Sequence, residues 1–170
     1  MKSFSLKRKL TTALTLAAAL TGLLFAFTGT AGATTELTQA LCANFGCDGH
    51  NPNIQNWQST YTVYSISDGS GYIDLRSGVT DGDQYAWARV EWTPGGYPGN
   101  VWVDRYSKLS GTLETGLGKH SLSQSGAWSA QEAPNTWLTW SGMYYNPSTF
   151  EVRACVGFSA PGGTTCTDWY

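Results

Sequence analysis

The stretch Tyr85-Ala86-Trp87-Ala88-Arg89-Val90-Glu91-Trp92-Thr93 decides the fold. Ala86, Ala88 and Val90 alternate with Tyr85, Trp87, Arg89 and Glu91, and a period of two marks a strand whose faces meet different surroundings. Turn residues bound it on both sides: Thr80-Asp81-Gly82-Asp83 before it, and Pro94-Gly95-Gly96-Tyr97-Pro98-Gly99-Asn100 after it. The same signature recurs outward. Ser59 to Ile66 alternates ahead of Asp68-Gly69-Ser70-Gly71, Tyr72 to Val79 leads into the Asp-Gly turn, and Val101 to Lys108 alternates again. Leu109 to Ala130, interrupted by Gly111, Gly116, Gly118 and Gly126, predicts one or two irregular strands. Thr136 to Tyr145, Phe150 to Phe158 and Thr164 to Tyr170 predict three more. No window of helical length is free of a glycine or a strand-type run. The expectation is an all-β protein, a single small sandwich or barrel of about seven to nine short strands.

The opening residues read differently. Lys2, Lys7, Arg8 and Lys9 form a basic n-region, an apolar run extends from Leu10 to Phe27, and Ala31-Gly32-Ala33 matches the small-residue pattern that signal peptidase cleaves. Thr11, Thr12, Thr15, Thr21 and Gly22 interrupt the run and no basic stop-transfer flank follows, which argues against a retained membrane anchor. The expected organisation is a removable signal peptide at 1–33, an N-terminal arm with a disulfide loop at 34–56, and a β domain at 57–170. The product is expected outside the cell.

Four of the ten Lys and Arg residues leave with that leader while all twelve acids remain, so the processed chain carries a net charge of −6. Its basic residues stand singly, with no stripe for phosphates, which argues against nucleic acid and anionic membrane surfaces as partners. All eight Trp and nine Tyr fall after the leader, among few charges, and suit pleated surfaces. Four cysteines in an exported chain read as two disulfides. Local spacing favours Cys42–Cys47 and Cys155–Cys166. The second pair brackets Pro161-Gly162-Gly163, where a hairpin sets the two opposite each other. Neither pair has the C-x2-C spacing of a zinc site, and no metal or cofactor is expected.

Three stretches together resemble a family of exported actinobacterial proteins catalogued as a domain of unknown function. They are Cys42-x4-Cys47-Asp48-Gly49-His50-Asn51-Pro52, then Ile73-Asp74-Leu75-Arg76-Ser77 leading to Ala86-Trp87-Ala88-Arg89-Val90, and Trp140-Ser141-Gly142-Met143-Tyr144-Tyr145 followed by Arg153-Ala154-Cys155. The resemblance implies secretion and an all-β fold and no particular activity. The family has two further cysteines where this chain has Asn56-Trp57 and Thr80-Asp81, the pattern expected from deletion of one disulfide, with Trp57 filling part of the space.

Catalytic signatures are weak. His50 and His120 are the only histidines, and nothing around the serines resembles a nucleophile elbow. Asp74, Glu91 and Asp104 are the acids a glycosidase would draw on, but each occupies an outward strand position where solvation or an Arg neighbour accounts for it. Asp81-Gly82-Asp83 and Asp68-Gly69 offer oxygens to Ca2+, yet Asp-Gly is also what a tight hairpin demands.

The aromatics are the better lead. If the small aliphatic faces are core, Trp87 on one strand and Trp102, Asp104 and Tyr106 on the next form an exposed shelf, with Tyr97 on the intervening loop. Flat rings beside acids and amides suit sugar rings. The competing account turns Trp87 inward as core. The expected function is therefore a secreted, non-enzymatic binding protein for carbohydrate or a cell-wall surface. A protease inhibitor using a rigid loop at Thr93 to Asn100 or Ser159 to Thr165 is the alternative, and a small extracellular hydrolase is the third.

Overall fold

The structure, a computed structural model, describes residues 42–67, 71–94, 99–158 and 163–170. The chain divides into two units, Met1–Glu36 and Leu37–Tyr170, and every described residue belongs to the second. The expected leader and the start of the arm lie outside the described residues.

The described residues form ten strands, one more than the upper expectation: β1 (Ser59–Ser67), β2 (Gly71–Thr80), β3 (Asp83–Trp92), β4 (Gly99–Ser107), β5 (Leu113–Ser121), β6 (Ser129–Ala133), β7 (Thr136–Trp140), β8 (Tyr144–Tyr145), β9 (Phe150–Phe158) and β10 (Thr164–Cys166). They form two antiparallel sheets. One runs β1-β2-β3-β7-β6, with β8 also paired to β3, and the other runs β10-β9-β4-β5. The extra strand comes from the segment expected as one strand at Thr136 to Tyr145, which splits around Ser141-Gly142-Met143. The last strand is also shorter than expected, ending at Cys166, although Tyr170 still exchanges backbone hydrogen bonds with Val152.

The alternation of β3 explains the sandwich. Ala86, Ala88 and Val90 face inward with Ile73 and Leu75 of β2, and meet Val101 and Val103 of β4 and Val152, Ala154 and Val156 of β9. Fully burying each of these Val and Ile side chains is worth about 1.5–3 kcal/mol. Asp81 and Gly82 have φ of +52° and +87°, the doubly positive geometry of the two-residue turn that matches strand twist.

A second apolar cluster lies on the other face of the first sheet. Tyr85, Trp87, Trp140 and Met143 are buried there with Cys42 and Cys47. The cover is the N-terminal segment, which folds through 3-10 turns at Asn44–Cys47 and Pro52–Ile54. The Asp-Gly-Asp turn clamps it: Cys42 N donates to Asp81 Oδ2 at 2.8 Å and Asn44 N to Asp83 Oδ2 at 2.6 Å. Those carboxylates, weighed above as calcium ligands, thus serve as backbone acceptors. Both expected disulfides are present, Cys42–Cys47 and Cys155–Cys166, the second between directly opposed residues of β9 and β10.

Candidate functional site

Between the N-terminal segment and the first sheet lies a cleft of about 220 Å³. Three adjacent strands supply its floor: β2 gives Arg76, β3 gives Trp87 and Arg89, and β7 gives Leu138 and Trp140. Thr60 of β1 closes one side, and Pro52, Asn53 and Trp57 form the wall. Register brings the floor together, because Arg76 stands opposite Trp87 and Arg89 opposite Trp140, and directly opposed side chains on one face are in contact range.

Each ring is fixed by neighbours. Trp57 stacks on Trp87 with centroids 4.7 Å apart and planes 20° from parallel. It donates its indole N–H to Pro52 O at 2.7 Å and rests on Gly78, where even a Cβ would come within 2.8 Å of the ring. Trp140 donates to Asn51 Oδ1 at 2.7 Å. Asn51 is itself buried, accepting also from Asn53 N and donating to Ala127 O. Trp87 is different. It is only 6% exposed, and its indole N–H makes no hydrogen bond among the described residues but is not sealed from solvent.

The two arginines are unlike. Arg89 makes a two-nitrogen contact, Nε and Nη2, with Asp74 Oδ2, the cross-strand partner that register places opposite it. Arg76 meets hydroxyls instead: Nη1 donates to Thr62 Oγ1 at 2.6 Å and Nη2 to Thr60 Oγ1 at 3.4 Å. No carboxylate lies within 4.0 Å of it among the described residues. Burial, and then the charge of Arg89, hold its pKa below the usual guanidinium value, though it remains charged at any physiological pH.

The expected shelf does not form. Trp87 belongs to β3 and Trp102 to β4, and these strands lie in different sheets, so the two rings share no surface. Trp87 is buried, but not by turning into the sandwich core as the competing account had it: Ala86 and Ala88 fill that core, and Trp87 is covered on the opposite face. Trp102 lies against Gly157, whose Cβ would come within 2.8 Å of the ring, and Lys119 Nζ stands 5.0 Å from its centroid. Asp104 is buried and saturated: Oδ1 accepts from Trp102 Nε1 and Gly116 N, and Oδ2 from Arg153 Nε and Nη2. Arg153 in turn packs on Trp169 at 4.6 Å. Tyr106 is half-buried on the same face. These residues tie the outer face of the second sheet together, with Trp102, Tyr106 and Trp169 each half-buried. Tyr97 lies outside the described residues, as do 95–98 of one expected inhibitory loop and 159–162 of the other.

The catalytic alternatives find no assembled machinery among the described residues. Asp74 and Asp104 are each engaged by an arginine. His120 stacks on Trp128 at 3.7 Å, burial holds its pKa below the ordinary value, and no serine hydroxyl bonds to either histidine. Cys42, Cys47 and His50 cluster, as do Asp104, Cys155 and Cys166, but every sulfur in both sets is already in a disulfide.

Trp57, Trp140, Arg76 and Arg89 were missing from the expected site. A signal for two of them was present: a two-residue turn at Asp81-Gly82 pairs Thr80 with Asp83 and, counting back, Arg76 with Trp87 and Asp74 with Arg89. Thr80 Oγ1 at the end of β2 donates to Asn56 O at 3.2 Å, tying the strand to the segment that carries Trp57. No family model, curated protein or solved structure matches this chain.

Proposed function

We propose that this chain is an exported, non-enzymatic binding protein whose ligand is a carbohydrate or cell-wall polysaccharide, held in the tryptophan cleft of the first sheet. One observation carries this reading: three indoles, two arginines and a threonine line a single concave site. Apolar ring surface accepts the C–H face of a sugar, and fixed donors take its hydroxyls. The volume is below the roughly 300–1,000 Å³ of sites that engulf a drug-sized ligand, which suits one ring of a longer chain. The sequence pattern of the leader and the two disulfides support export.

The test is co-sedimentation with insoluble peptidoglycan, chitin and cellulose, using the processed chain and two variants. Trp57→Ala opens the cleft wall, and Trp102→Ala alters the second sheet. The reading predicts retention of the parent and of Trp102→Ala, and loss of retention for a folded Trp57→Ala. Retention that depends on Trp102 and not on Trp57 would move the site to the other sheet. No retention on any of the three would overturn the carbohydrate reading.

A further inference from the structure

We infer that the cleft selects an acidic saccharide, one whose ring carries a carboxylate, and that Arg76 is the residue that reads the charge. This rests on the carbohydrate reading of the same cleft and adds the class of sugar.

The processed chain is strongly acidic, with six basic residues against twelve acids, yet the lining of this cleft contains two arginines and no acid. One of the two is neutralised where it stands, since Asp74 takes Arg89 through two of its nitrogens. Arg76 keeps its charge. Its partners, Thr60 and Thr62, are hydroxyls on the neighbouring strand, which orient a guanidinium without cancelling it. Asp74 offsets part of the repulsion from Arg89, but the three charges together leave one positive charge in excess and Arg76 partly buried, a cost that an incoming anion relieves.

The surroundings narrow the anion. Arg76 offers a planar fork, which matches a carboxylate geometrically. One uncompensated positive charge balances one negative charge, so a singly charged carboxylate fits better than a dianionic phosphate. The same guanidinium stands opposite Trp87 across the β2–β3 pair, and Trp87 carries the stacked ring of Trp57. A sugar acid presents all the complementary parts at once: an apolar ring face, hydroxyls, and a carboxylate at its edge. A simple anion would leave the rings unused, and a neutral sugar would leave Arg76 unpaired.

Affinity electrophoresis through gels containing polygalacturonate, alginate or hyaluronan, each beside its carboxyl-reduced neutral form, tests this with the processed chain. The expected result is retardation by at least one acidic polymer, about tenfold weaker for its reduced form, the loss of one charged hydrogen bond. Arg76→Gln, which keeps hydrogen-bonding capacity and removes charge, is expected to erase that difference, and raising the salt is expected to weaken binding of the parent alone. Equal retardation by acidic and reduced polymers, or an unchanged preference in Arg76→Gln, would overturn the inference while leaving the carbohydrate reading intact. Retention on chitin or cellulose with no retardation by any acidic polymer would do the same. Failure on every polysaccharide, soluble and insoluble, would overturn both.

Discussion

Arg105 shows how much of this protein rests on single side chains. It follows Val101 and Val103 on the inward parity of β4 and is buried, a position where an unpaired charge is untenable. Its Nε donates to Glu114 Oε2 at 2.6 Å, and Nη1 to Asp48 Oδ2 at 2.7 Å and to Tyr145 O at 3.3 Å. The rings of Phe45, Tyr144 and Phe150 surround the guanidinium at 5.2, 5.5 and 5.0 Å. Burial acts to lower its pKa, but its hydrogen bonds to the carboxylates of Glu114 and Asp48 and their charges outweigh it, and the net shift is upward. Removing the cation strands Asp48, whose carboxyl burial already pushes up. Arg105→Met is therefore expected to cost about 3 kcal/mol, the scale of breaking one partner out of a buried pair, read as a shift in urea midpoint. A loss below about 1 kcal/mol, the value of an exposed pair, would show that the cluster is not structural. The parity that points Arg105 inward was legible in the alternation of β4. Its partners were not, because Asp48 lies in a segment without periodicity and reaches Arg105 only after the chain has folded over the sheet.

At the scale of elements, three glycines explain the one strand that came out as two. Gly142, between β7 and β8, packs against Gly49 of the N-terminal segment, whose Cα would lie 2.9 Å from an added Cβ. On the other side the Gly142 N–H donates to the carbonyl oxygen of Gly118 of β5 at 3.2 Å, and a Cβ on Gly118 would come within 2.6 Å of that nitrogen. Three backbones meet where side chains have no room. Gly142→Ala must displace backbone rather than a flexible side-chain tip, so we expect a loss of about 1–3 kcal/mol or more, measured by thermal unfolding. An unchanged midpoint would show that the crossing is loose. This break in Thr136 to Tyr145 was invisible in the sequence, since Gly49 and Gly118 are remote from it along the chain. The β2–β3 hairpin was the opposite case. Its turn, its inward face and its register all follow from Asp81-Gly82 and the alternation on either side, which is why the core-facing residues were legible. Alternation tells that two faces differ, however, and not that one of them is wet. Trp87 was weighed for an exposed shelf because nothing periodic announces the segment that covers it.

For the molecule as a whole, the consequence is a sandwich with unequal outer faces. The second sheet binds its outer aromatics into a ladder that runs from Trp169 through Arg153 and Asp104 to Trp102. The first sheet is roofed by the N-terminal segment, and the roof stops short at the cleft, where Trp57, Trp87 and Trp140 remain beside Arg76. The surface expected from sequence is divided between two sheets, because β3 and β4 are consecutive in the chain and belong to different sheets. The most direct test is a titration of 15N-tryptophan-labelled protein with soluble oligosaccharides of chitin, cellulose and polygalacturonate, following the assigned indole N–H signals. The account predicts that the signals of Trp57, Trp87 and Trp140 move together on binding, Trp87 most because its N–H gains an acceptor, while those of Trp102 and Trp169 stay in place. Shifts confined to Trp102 and Trp169, or none with any of the three sugars, would contradict it.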